Sequence, residues 1–273
     1  MIRLKRIDQI LFSLSLALLV SLCGLVAHIV VPADASVETN ETQKIELPIP
    51  MYHHILKEQA KLNPYTISPE EFRQDLQYLK DNGYQSIVMQ DLINYVNGVS
   101  TLPEKPVMIT FDDGYESFYE YAFPILKEMG FKAVFSVVGT YVDQYSCIND
   151  HHICYSHCTW GQLELLKNSG IIEIQNHSYN LHLLEKGRRG AKKKIGESDT
   201  DYRNVLISDI GKMQDECQKN LDGWIPTTFT YPYGQISSEA LTILKEMGFK
   251  AALTCEERIN YLTGDPEQLY HLD

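Results

Sequence analysis

Two adjacent carboxylates are the residues of this chain whose type and position first suggest chemistry. Asp112 and Asp113 follow a short apolar run from Val107 to Phe111, and Gly114 permits a sharp turn directly after them. Adjacent carboxylates repel one another unless a positive charge lies beside them, and a metal ion bound to one of them would supply that charge. A simple Asp-Asp-Gly turn is the alternative interpretation of this segment taken alone.

Two histidines offer further ligands. His177 and His182 lie five residues apart, after an apolar run from Ile171 to Ile174. This spacing does not place both side chains on one face of an α-helix, but it suits a loop that returns to the same ion. Two neutral imidazoles and one carboxylate would make a three-ligand site with open positions, as in catalytic zinc sites. Isolated surface histidines are the alternative, and the nearby Asp pair favours the metal site.

Predicted strands and helices alternate along the chain and must position these residues. Ser68-Pro69-Glu70-Glu71 and Thr159-Trp160-Gly161-Gln162 each combine an N-cap hydroxyl with a Glu or Gln three residues later, as helix starts do. Further helices are predicted over Tyr202–Asn220 and Ser238–Met247, and another ends near Glu128. The predicted strands are Leu47–Tyr52, Ser86–Met89, Val107–Phe111, Ala133–Val138, Ile171–Ile174, Thr227–Tyr231 and Lys250–Thr254. This alternation predicts a mainly parallel sheet covered by helices.

Polar side chains follow four of the predicted strands. In a parallel α/β barrel the carboxyl ends of the strands open on one face, which is where active sites are built. The residues in these positions are His53 and His54, Asp112 and Asp113, His177, and Tyr233. We therefore expect one site that collects groups from several strands.

The N-terminus carries a targeting pattern. Three basic residues, Arg3, Lys5 and Arg6, precede an apolar run from Ile10 to Val31 that is long enough to cross a bilayer as a helix. We predict a cytoplasmic segment over residues 1–9, a transmembrane signal anchor over 10–32, a linker over 33–46 and one extracytoplasmic domain over 47–273. Cleavage of a signal peptide near Ala35, followed by secretion, is the alternative.

Charge and cysteine content narrow the partners. The chain of 273 residues has a net charge of −12, which makes nucleic acid an unsuitable partner. Five cysteines lie beyond the apolar run, and three of them fall in a His-rich insertion between Cys147 and Cys158. We favour a disulfide-stapled loop there over a second metal site. A basic run from Arg188 to Lys194 either lines a groove or is a solvated loop.

Four segments together resemble polysaccharide deacetylases of the NodB type, carbohydrate esterase family four. Thr110–Gly114 matches that family's first motif in full, and Phe229–Gly234 resembles its third. His177–His182 resembles the second motif in its longer-spaced form, which is found in the poly-N-acetylglucosamine deacetylases of biofilms. Ile49–Ile55 is similar to the first strand of that branch. The likeness runs from about Leu47 onward and implies a distorted (β/α)7-type barrel with parallel strands, here preceded by the transmembrane helix.

The resemblance also implies roles. Asp113, His177 and His182 would hold one divalent metal ion, commonly Zn²⁺, and Asp112 would be the general base. The Tyr233 backbone N–H would help to stabilise the oxyanion of the reaction.

Two departures from the family pattern concern the remaining groups. Thr230 stands where many family members have an Arg that orients the base, and the late Leu-x-His motif is missing. In the biofilm branch a histidine from the first strand replaces that late His, which makes His53 the expected general acid. His54 is the alternative, and His271 is a weaker candidate.

The resulting hypothesis is an enzyme that hydrolyses N-acetyl groups of N-acetylglucosamine-type residues in a cell-wall or extracellular polysaccharide. O-deacetylation of xylan-type polymers is a variant of the same chemistry. A hypothesis from another class is a degenerate deacetylase domain that only binds polysaccharide, which the absent Arg and late His favour. The intact Asp112, Asp113, His177 and His182 favour catalysis, because simple binding does not need a base beside metal ligands.

Overall fold

Six parallel strands form the central sheet of the structure, a computed structural model that describes residues 44–58 and 61–273. The strands in chain order are β1 (Ile45–Leu47), β2 (Met51–Tyr52), β3 (His54–Ile55), β4 (Thr66–Ile67), β5 (Gln85–Ser86), β6 (Pro106–Val107), β7 (Thr110–Phe111), β8 (Ala133–Val137), β9 (Ile172–Asn176), β10 (Leu184–Glu185), β11 (Arg188–Arg189), β12 (Thr228–Thr230), β13 (Ala251–Leu253) and β14 (Asn260–Leu262).

Helices cover this sheet. They are α1 (Pro69–Asp81), α2 (Met89–Val96), α3 (Phe123–Met129), α4 (Gly139–Cys147), α5 (Trp160–Asn168), α6 (Asp199–Asn220) and α7 (Ser238–Glu246). A π-helical turn over Phe118–Ala122 leads into α3, and short 3₁₀ helices span Pro232–Gly234 and Pro266–Tyr270.

The strand order of the central sheet is β13-β12-β9-β8-β7-β2, and every pair in it is parallel. All six carboxyl ends therefore meet at one edge, as the alternating pattern predicts. The two outer strands, β2 and β13, do not pair with each other in the described part of the chain. The parallel α/β architecture is confirmed, whereas the expected barrel is an open half-barrel rather than a closed ring.

Local sequence signals explain where several elements begin and end. Both predicted capping boxes form, with the Ser68 hydroxyl accepting from the Glu71 N–H and the Thr159 hydroxyl accepting from the Gln162 N–H. Gly130 ends α3 in a left-handed conformation, with φ of 79°. These contacts fix the helices that pack on the sheet.

The middle of the sheet is fully buried. All five residues of β8, which lies between β9 and β7, are buried, as is typical of an interior strand of a parallel sheet. Three phenylalanines pack together here: the ring centroid of Phe118 lies 4.7 Å from that of Phe111 and 4.0 Å from that of Phe135. This packing anchors the end of β7, from which Asp112 and Asp113 follow.

Two segments differ from the sequence-based prediction. The strand predicted over Ser86–Met89 is reduced to β5, because Met89 begins helix α2 and the Asp91 carboxylate accepts from the Val88 N–H. The run Val107–Phe111 is divided between β6, which pairs with β5, and β7, which pairs with β2 and β8. A short apolar run can form either a strand or part of a buried helix. The sequence therefore does not show where one element ends and the next begins.

The predicted membrane span over residues 10–32 lies outside the described residues. Within residues 44–58 and 61–273, no helix is both long enough and apolar enough to cross a bilayer.

Candidate active site

The candidate site lies at the carboxyl edge of the sheet. Asp112 and Asp113 follow β7, and His177 follows β9, which is separated from β7 in the sheet by the single strand β8. Tyr233 lies in the 3₁₀ turn after β12, and His53 lies directly after the edge strand β2. The structure thus brings together polar residues that are up to 180 positions apart in the chain.

Asp113, His177 and His182 form a group that could hold a metal ion. Their ligand atoms all lie within 4.8 Å of one another. Asp113 Oδ1 lies 3.0 Å from His182 Nε2 and 3.5 Å from His177 Nε2. A tetrahedral zinc site with bonds of about 2.0–2.1 Å places its ligand atoms about 3.3 Å apart, so the observed spacing fits one cation.

In both histidines Nδ1 has a hydrogen-bond partner, which leaves Nε2, the nitrogen nearer to Asp113, free to bind a metal ion. His177 Nδ1 lies 2.9 Å from the Thr230 carbonyl oxygen, which only accepts, so Nδ1 carries the proton and Nε2 offers a lone pair. His182 Nδ1 lies 3.2 Å from the Tyr233 hydroxyl, which can accept in the same way. The buried Asp113 Oδ1 has no hydrogen-bond partner. Two free imidazole nitrogens that face an unpartnered carboxylate oxygen are suited to a bound cation.

Electrostatics distinguish the two carboxylates. Burial raises the pKa of the Asp112 carboxyl above its ordinary value, and the nearby charges of His177 and His53 only partly oppose this. Burial also acts on Asp113, but the nearby His177 and His182 imidazoles outweigh it and lower the Asp113 pKa. The adjacent residues therefore differ: Asp113 is held as an anion by two imidazoles, while Asp112 is a buried carboxyl with one unpartnered oxygen.

The backbone of the site is strained at three positions. Asp113, Ser178 and Tyr233 all have positive φ values, of 72°, 75° and 58°. Such conformations cost on the order of 1–3 kcal/mol in non-glycine residues and persist only where the surroundings hold them. Gly114 follows with φ of 85°, and a Cβ there would lie 3.2 Å from that of Val137, so the turn packs closely on β8. Strain at these positions directs the adjoining side chains toward the common site.

The two histidines after the first strand have different surroundings. His54 is buried, its Nδ1 lies 2.6 Å from Ser117 Oγ, and its Nε2 lies 3.2 Å from the Cys154 carbonyl oxygen. Both ring nitrogens of His54 are thus engaged in holding the wall of the site. His53 is half-buried, packs edge-on against Tyr65 and lines the same cavity as Asp112.

The other candidate acid lies elsewhere. His271 is exposed and lines a separate depression beside Asn260 and Asp265. It does not line the cavity that contains Asp112 and Asp113.

An open cavity of about 650 Å³ surrounds the site, which is a size typical of ligand pockets. Its wall includes four residues that the sequence did not single out, namely Tyr65, Tyr115, Cys255 and Glu257. Tyr65 and Tyr233 expose 69% and 39% of their surface, so aromatic faces are available to a ligand at the rim. No local pattern marks Tyr65 or Glu257, because each lies in an irregular segment.

The insertion between Cys147 and Cys158 is not stapled. All five cysteines within the described residues are free, so the expected disulfide is wrong for this structure. The sole candidate metal group in residues 44–58 and 61–273 is that of Asp113, so the insertion does not form a second one there. Instead the buried Glu116 carboxylate holds the segment, accepting from Ser156 Oγ and Gln162 Nε2 and lying 2.6 Å from His151 Nδ1.

One histidine of this insertion is enclosed by aromatic rings. His157 is buried and packs against Tyr115, Tyr141 and Tyr145, with ring centroids 4.7, 4.4 and 5.4 Å away. Neither of its ring nitrogens has a hydrogen-bond partner. Burial lowers the His157 pKa to about 4, although the charge of Asp113 opposes this. His157 therefore packs as a neutral ring behind the site.

Two of the five basic residues in the run from Arg188 to Lys194 form ion pairs. Arg188 is buried and forms a bidentate ion pair with Glu197, and Lys193 pairs with Asp199 and Glu239. Arg188 is thus a structural residue of the β10–β11 hairpin rather than part of a solvated loop or a groove lining.

Comparison with known proteins agrees with this arrangement. A family model for polysaccharide deacetylase matches residues 100–252, which is more than half of the chain. This range contains Asp112, Asp113, His177, His182 and Tyr233, whereas His53 lies before it.

Three proteins illustrate the similarity. The poly-beta-1,6-N-acetyl-D-glucosamine N-deacetylase of Escherichia coli K12 is 27% identical over 223 residues, which are 75% of this chain. This chain spans only 33% of the length of that relative. The solved structure of a de-N-acetylase from Aggregatibacter actinomycetemcomitans is 30% identical with a TM-score of 0.69, covering 81% of this chain and 92% of that one. IcaB from Ammonifex degensii is 28% identical with a TM-score of 0.67, covering 82% and 90%.

Three findings support the same family assignment. They are the match to the family model, the half-barrel fold and the positions of the two aspartates and two histidines. The chain belongs to the polysaccharide deacetylase family.

Proposed function

We propose that this protein hydrolyses N-acetyl groups of N-acetylglucosamine-type residues in a cell-wall or extracellular polysaccharide, with one divalent metal ion as cofactor. The observation that carries the proposal is the convergence of Asp113, His177 and His182 beside the buried Asp112 at an open cavity. The names of the relatives support the substrate class, since they include a poly-beta-1,6-N-acetyl-D-glucosamine N-deacetylase and a de-N-acetylase.

Each residue of the site has a role in this proposal. Asp113, His177 and His182 would hold the ion, with Zn²⁺ favoured by the two nitrogens and one oxygen. A cation held there would lower the pKa of a water molecule and polarise the acetyl carbonyl. Asp112 takes the proton that the attacking water releases, through a buried oxygen without another partner.

Two further groups complete the reaction. The backbone N–H of Tyr233 donates to the acetyl oxygen, which becomes an oxyanion when water adds to the carbonyl carbon. His53 donates a proton to the leaving amine, which would otherwise depart as an unstable anion. Its ring lines the cavity with Asp112, and its charge acts on the Asp112 pKa.

A polysaccharide-binding module is the second candidate function. The absence of Arg supports it: Thr230 stands where many family members have Arg, and its uncharged hydroxyl lies 2.7 Å from Ser136 Oγ. Hydrolysis of O-acetyl groups on xylan-type polymers is a further alternative within the enzyme class, since the same groups would attack an ester.

The deciding experiment compares the wild type with Asp112→Asn and Asp113→Gly in metal content and acetate release. Substrates are N-acetylglucosamine oligomers, peptidoglycan and acetylated xylan. We expect Asp112→Asn to keep its metal and to lose about 10²- to 10⁴-fold in turnover, as the removal of a general base does. Asp113→Gly should lose the metal, and glycine accepts the left-handed backbone at this position.

Two outcomes would overturn parts of the proposal. If the wild type binds metal but releases acetate from none of the three substrates, the binding module is the correct function. If Asp113→Gly retains the metal with wild-type affinity, the ligand assignment is wrong.

We also propose that the domain acts outside the cytoplasm, held at the membrane by residues 10–32 or secreted after cleavage near Ala35. The basic flank and the apolar run support this location. Protease added to intact cells should digest a C-terminally tagged protein if the proposal is correct, and full protection of the tag would contradict it.

A further inference from the structure

We infer that Asp209 is a positioning residue that holds the loop between the two histidine ligands and thereby sets the geometry of the metal site. The inference rests on the proposed metal site, and neither the sequence motifs nor the family match assigns a role to Asp209. It lies on helix α6, far along the chain from the loop that it contacts.

The contact is bidentate. Asp209 Oδ1 accepts from the Tyr179 N–H and Asp209 Oδ2 accepts from the Asn180 N–H, both at 2.9 Å. One carboxylate thus binds two consecutive backbone donors at the midpoint of the segment from His177 to His182. Hydrogen bonds to a charged acceptor are shorter and about twice as strong as neutral ones.

The loop needs an acceptor from elsewhere, because β9 ends at Asn176 and no helix follows it directly. The neighbouring donors are satisfied within the loop: Ser178 N–H donates to Asn176 Oδ1 and Leu181 N–H donates to Ser178 Oγ. Tyr179 and Asn180 N–H depend on Asp209 instead. Since Ser178 also has φ of 75°, the loop would relax if these two donors lost their partner.

Helix α6 makes one more contact with the loop and one with the strand that precedes it. Lys212 Nζ lies 3.7 Å from the centre of the Tyr179 ring, and Asn176 Nδ2, at the end of β9, donates to the Ile210 carbonyl oxygen. Of these contacts, only that of Asp209 acts on the backbone donors between the histidines.

The opposite side of the loop is held by α4. Gly139 and Thr140 N–H donate to the Ser178 and Tyr179 carbonyl oxygens at 3.1 and 2.8 Å. The Tyr179 hydroxyl donates to Asp143 Oδ2, and Asp143 Oδ1 accepts from Trp160 Nε1, both at 2.8 Å. The backbone carbonyls are thus bound by one helix and the backbone N–H groups by the other, which leaves the loop few alternative conformations.

The experiment compares Asp209→Asn with Asp215→Asn in the full-length protein. Asp215 lies on the same helix and is exposed, and its side chain makes no hydrogen bond or ion pair with any of the described residues. Both variants lose one negative charge, but only Asp209→Asn replaces an acceptor oxygen by an NH₂ group that faces a backbone donor. The metal-free proteins are titrated with Zn²⁺ and Co²⁺, and the visible absorption of bound Co²⁺ reports the ligand geometry.

We expect Asp209→Asn to bind Zn²⁺ about 10- to 100-fold more weakly than the wild type, as mutations that release a ligand's supporting contacts do. The Co²⁺ spectrum of this variant should differ from the wild-type spectrum, and the turnover number should fall at saturating metal. Asp215→Asn should match the wild type in all three measurements. Equal Zn²⁺ affinity and equal Co²⁺ spectra for the two variants would overturn the inference.

A separate measurement distinguishes this inference from the proposed function. If the wild type binds no metal, the proposed function fails, and amide hydrogen exchange in the metal-free protein then tests the contact itself. Exchange at Tyr179 and Asn180 should be faster in Asp209→Asn than in Asp215→Asn. Identical exchange would show that Asp209 does not hold the loop.

Discussion

The two ring nitrogens of a histidine can have different roles in this site. His177 uses Nδ1 for the Thr230 carbonyl and leaves Nε2 free, while His54 uses both nitrogens in the wall of the site. Sequence motifs predict that Asp113, His177 and His182 lie near one another because each follows a strand of one sheet. They do not reveal Asp209 or the Thr230 carbonyl, because these act through contacts between distant segments.

Substitutions of His53 and His271 are expected to have different effects on the rate of acetate release. Replacing His53 by Ala should lower the rate of acetate release by about 10²- to 10⁴-fold while the metal content stays unchanged, because a general acid does not bind the ion. His271→Ala should leave both quantities at the wild-type level, since this side chain lines a different depression. The assignment fails if His53→Ala turns over at the wild-type rate or if His271→Ala does not.

His157 makes a prediction about pH and stability. Its pKa is about 4 in the folded protein, below the ordinary value of 6.5, so the unfolded chain takes up the proton first as the pH falls. The stability that His157 contributes is therefore present above pH 6.5 and is lost as the pH falls toward 4. Between pH 7 and pH 5 the loss is on the order of 2 kcal/mol.

The variant His157→Phe tests this dependence. A phenyl ring fits among Tyr115, Tyr141 and Tyr145 and sacrifices no hydrogen bond, because neither nitrogen of His157 has a partner. Asp113, His54 and His182 also face this ring and are present in both proteins, so the difference between the two unfolding curves isolates His157. Urea unfolding should show a smaller loss of stability at pH 5 for the variant, and parallel curves would contradict the prediction.

At the scale of elements, the start of α4 is packed against the ligand loop. A Cβ on Gly139 would lie 2.5 Å from the Tyr179 ring and 2.8 Å from Met213 Sδ, so something would have to move. We expect Gly139→Ala to cost about 1–3 kcal/mol of unfolding free energy and to weaken metal binding. Gly161→Ala is the matched control, because the nearest atom to its Cβ is 3.9 Å away within helix α5.

The control should behave in the opposite way. Alanine is favoured over glycine inside a helix by about 0.5–1 kcal/mol, so Gly161→Ala should be as stable as the wild type or more stable. Urea unfolding and Zn²⁺ titration measure both effects. A Gly139→Ala protein with wild-type stability and metal affinity would show that the contact between α4 and Tyr179 is loose.

Elements with strong local signals were predictable and the others were not. The capping boxes that begin α1 and α5 follow from two residues each, and they appear where the sequence predicts them. Helix α4 begins at Gly139 after the N-cap residue Val138, which provides no side-chain cap, and no local sequence signal predicts this helix. The nine residues Ile125–Ala133 recur identically at Ile243–Ala251. Both copies form the end of a helix, a left-handed glycine and the start of a strand.

For the whole molecule, a bound ion should couple the separate strands. Its ligands come from the ends of β7 and β9, so an ion that binds only the folded chain stabilises the fold as a unit. Zn²⁺ at 100 times its dissociation constant should raise the unfolding free energy by about 2.7 kcal/mol. Thermal unfolding with and without a chelator measures this difference, which should vanish in Asp113→Gly.

The overall architecture was predictable from alternation, but its closure was not. Alternating strand and helix patterns predict a parallel sheet, and the structure has one. Whether β2 and β13 meet depends on the curvature accumulated over six strands, which no single segment encodes. The net charge of −12 likewise describes the whole surface and says nothing about which rim residues meet a sugar.

The hydrogen bonds from Trp160 through Asp143 to Tyr179 also have an optical consequence. Indole emission is sensitive to the charges and hydrogen bonds around the ring, and Trp160 is tied to the ligand loop while Trp224 donates to the Ile174 carbonyl behind the sheet. With Trp224 replaced by Phe, the remaining fluorescence should change as Zn²⁺ fills the site and should saturate at the same concentration as the titration. The fluorescence of Trp160 should thus report metal binding without an added probe. Emission that stays constant throughout the Zn²⁺ titration would show that metal binding does not alter the surroundings of Trp160.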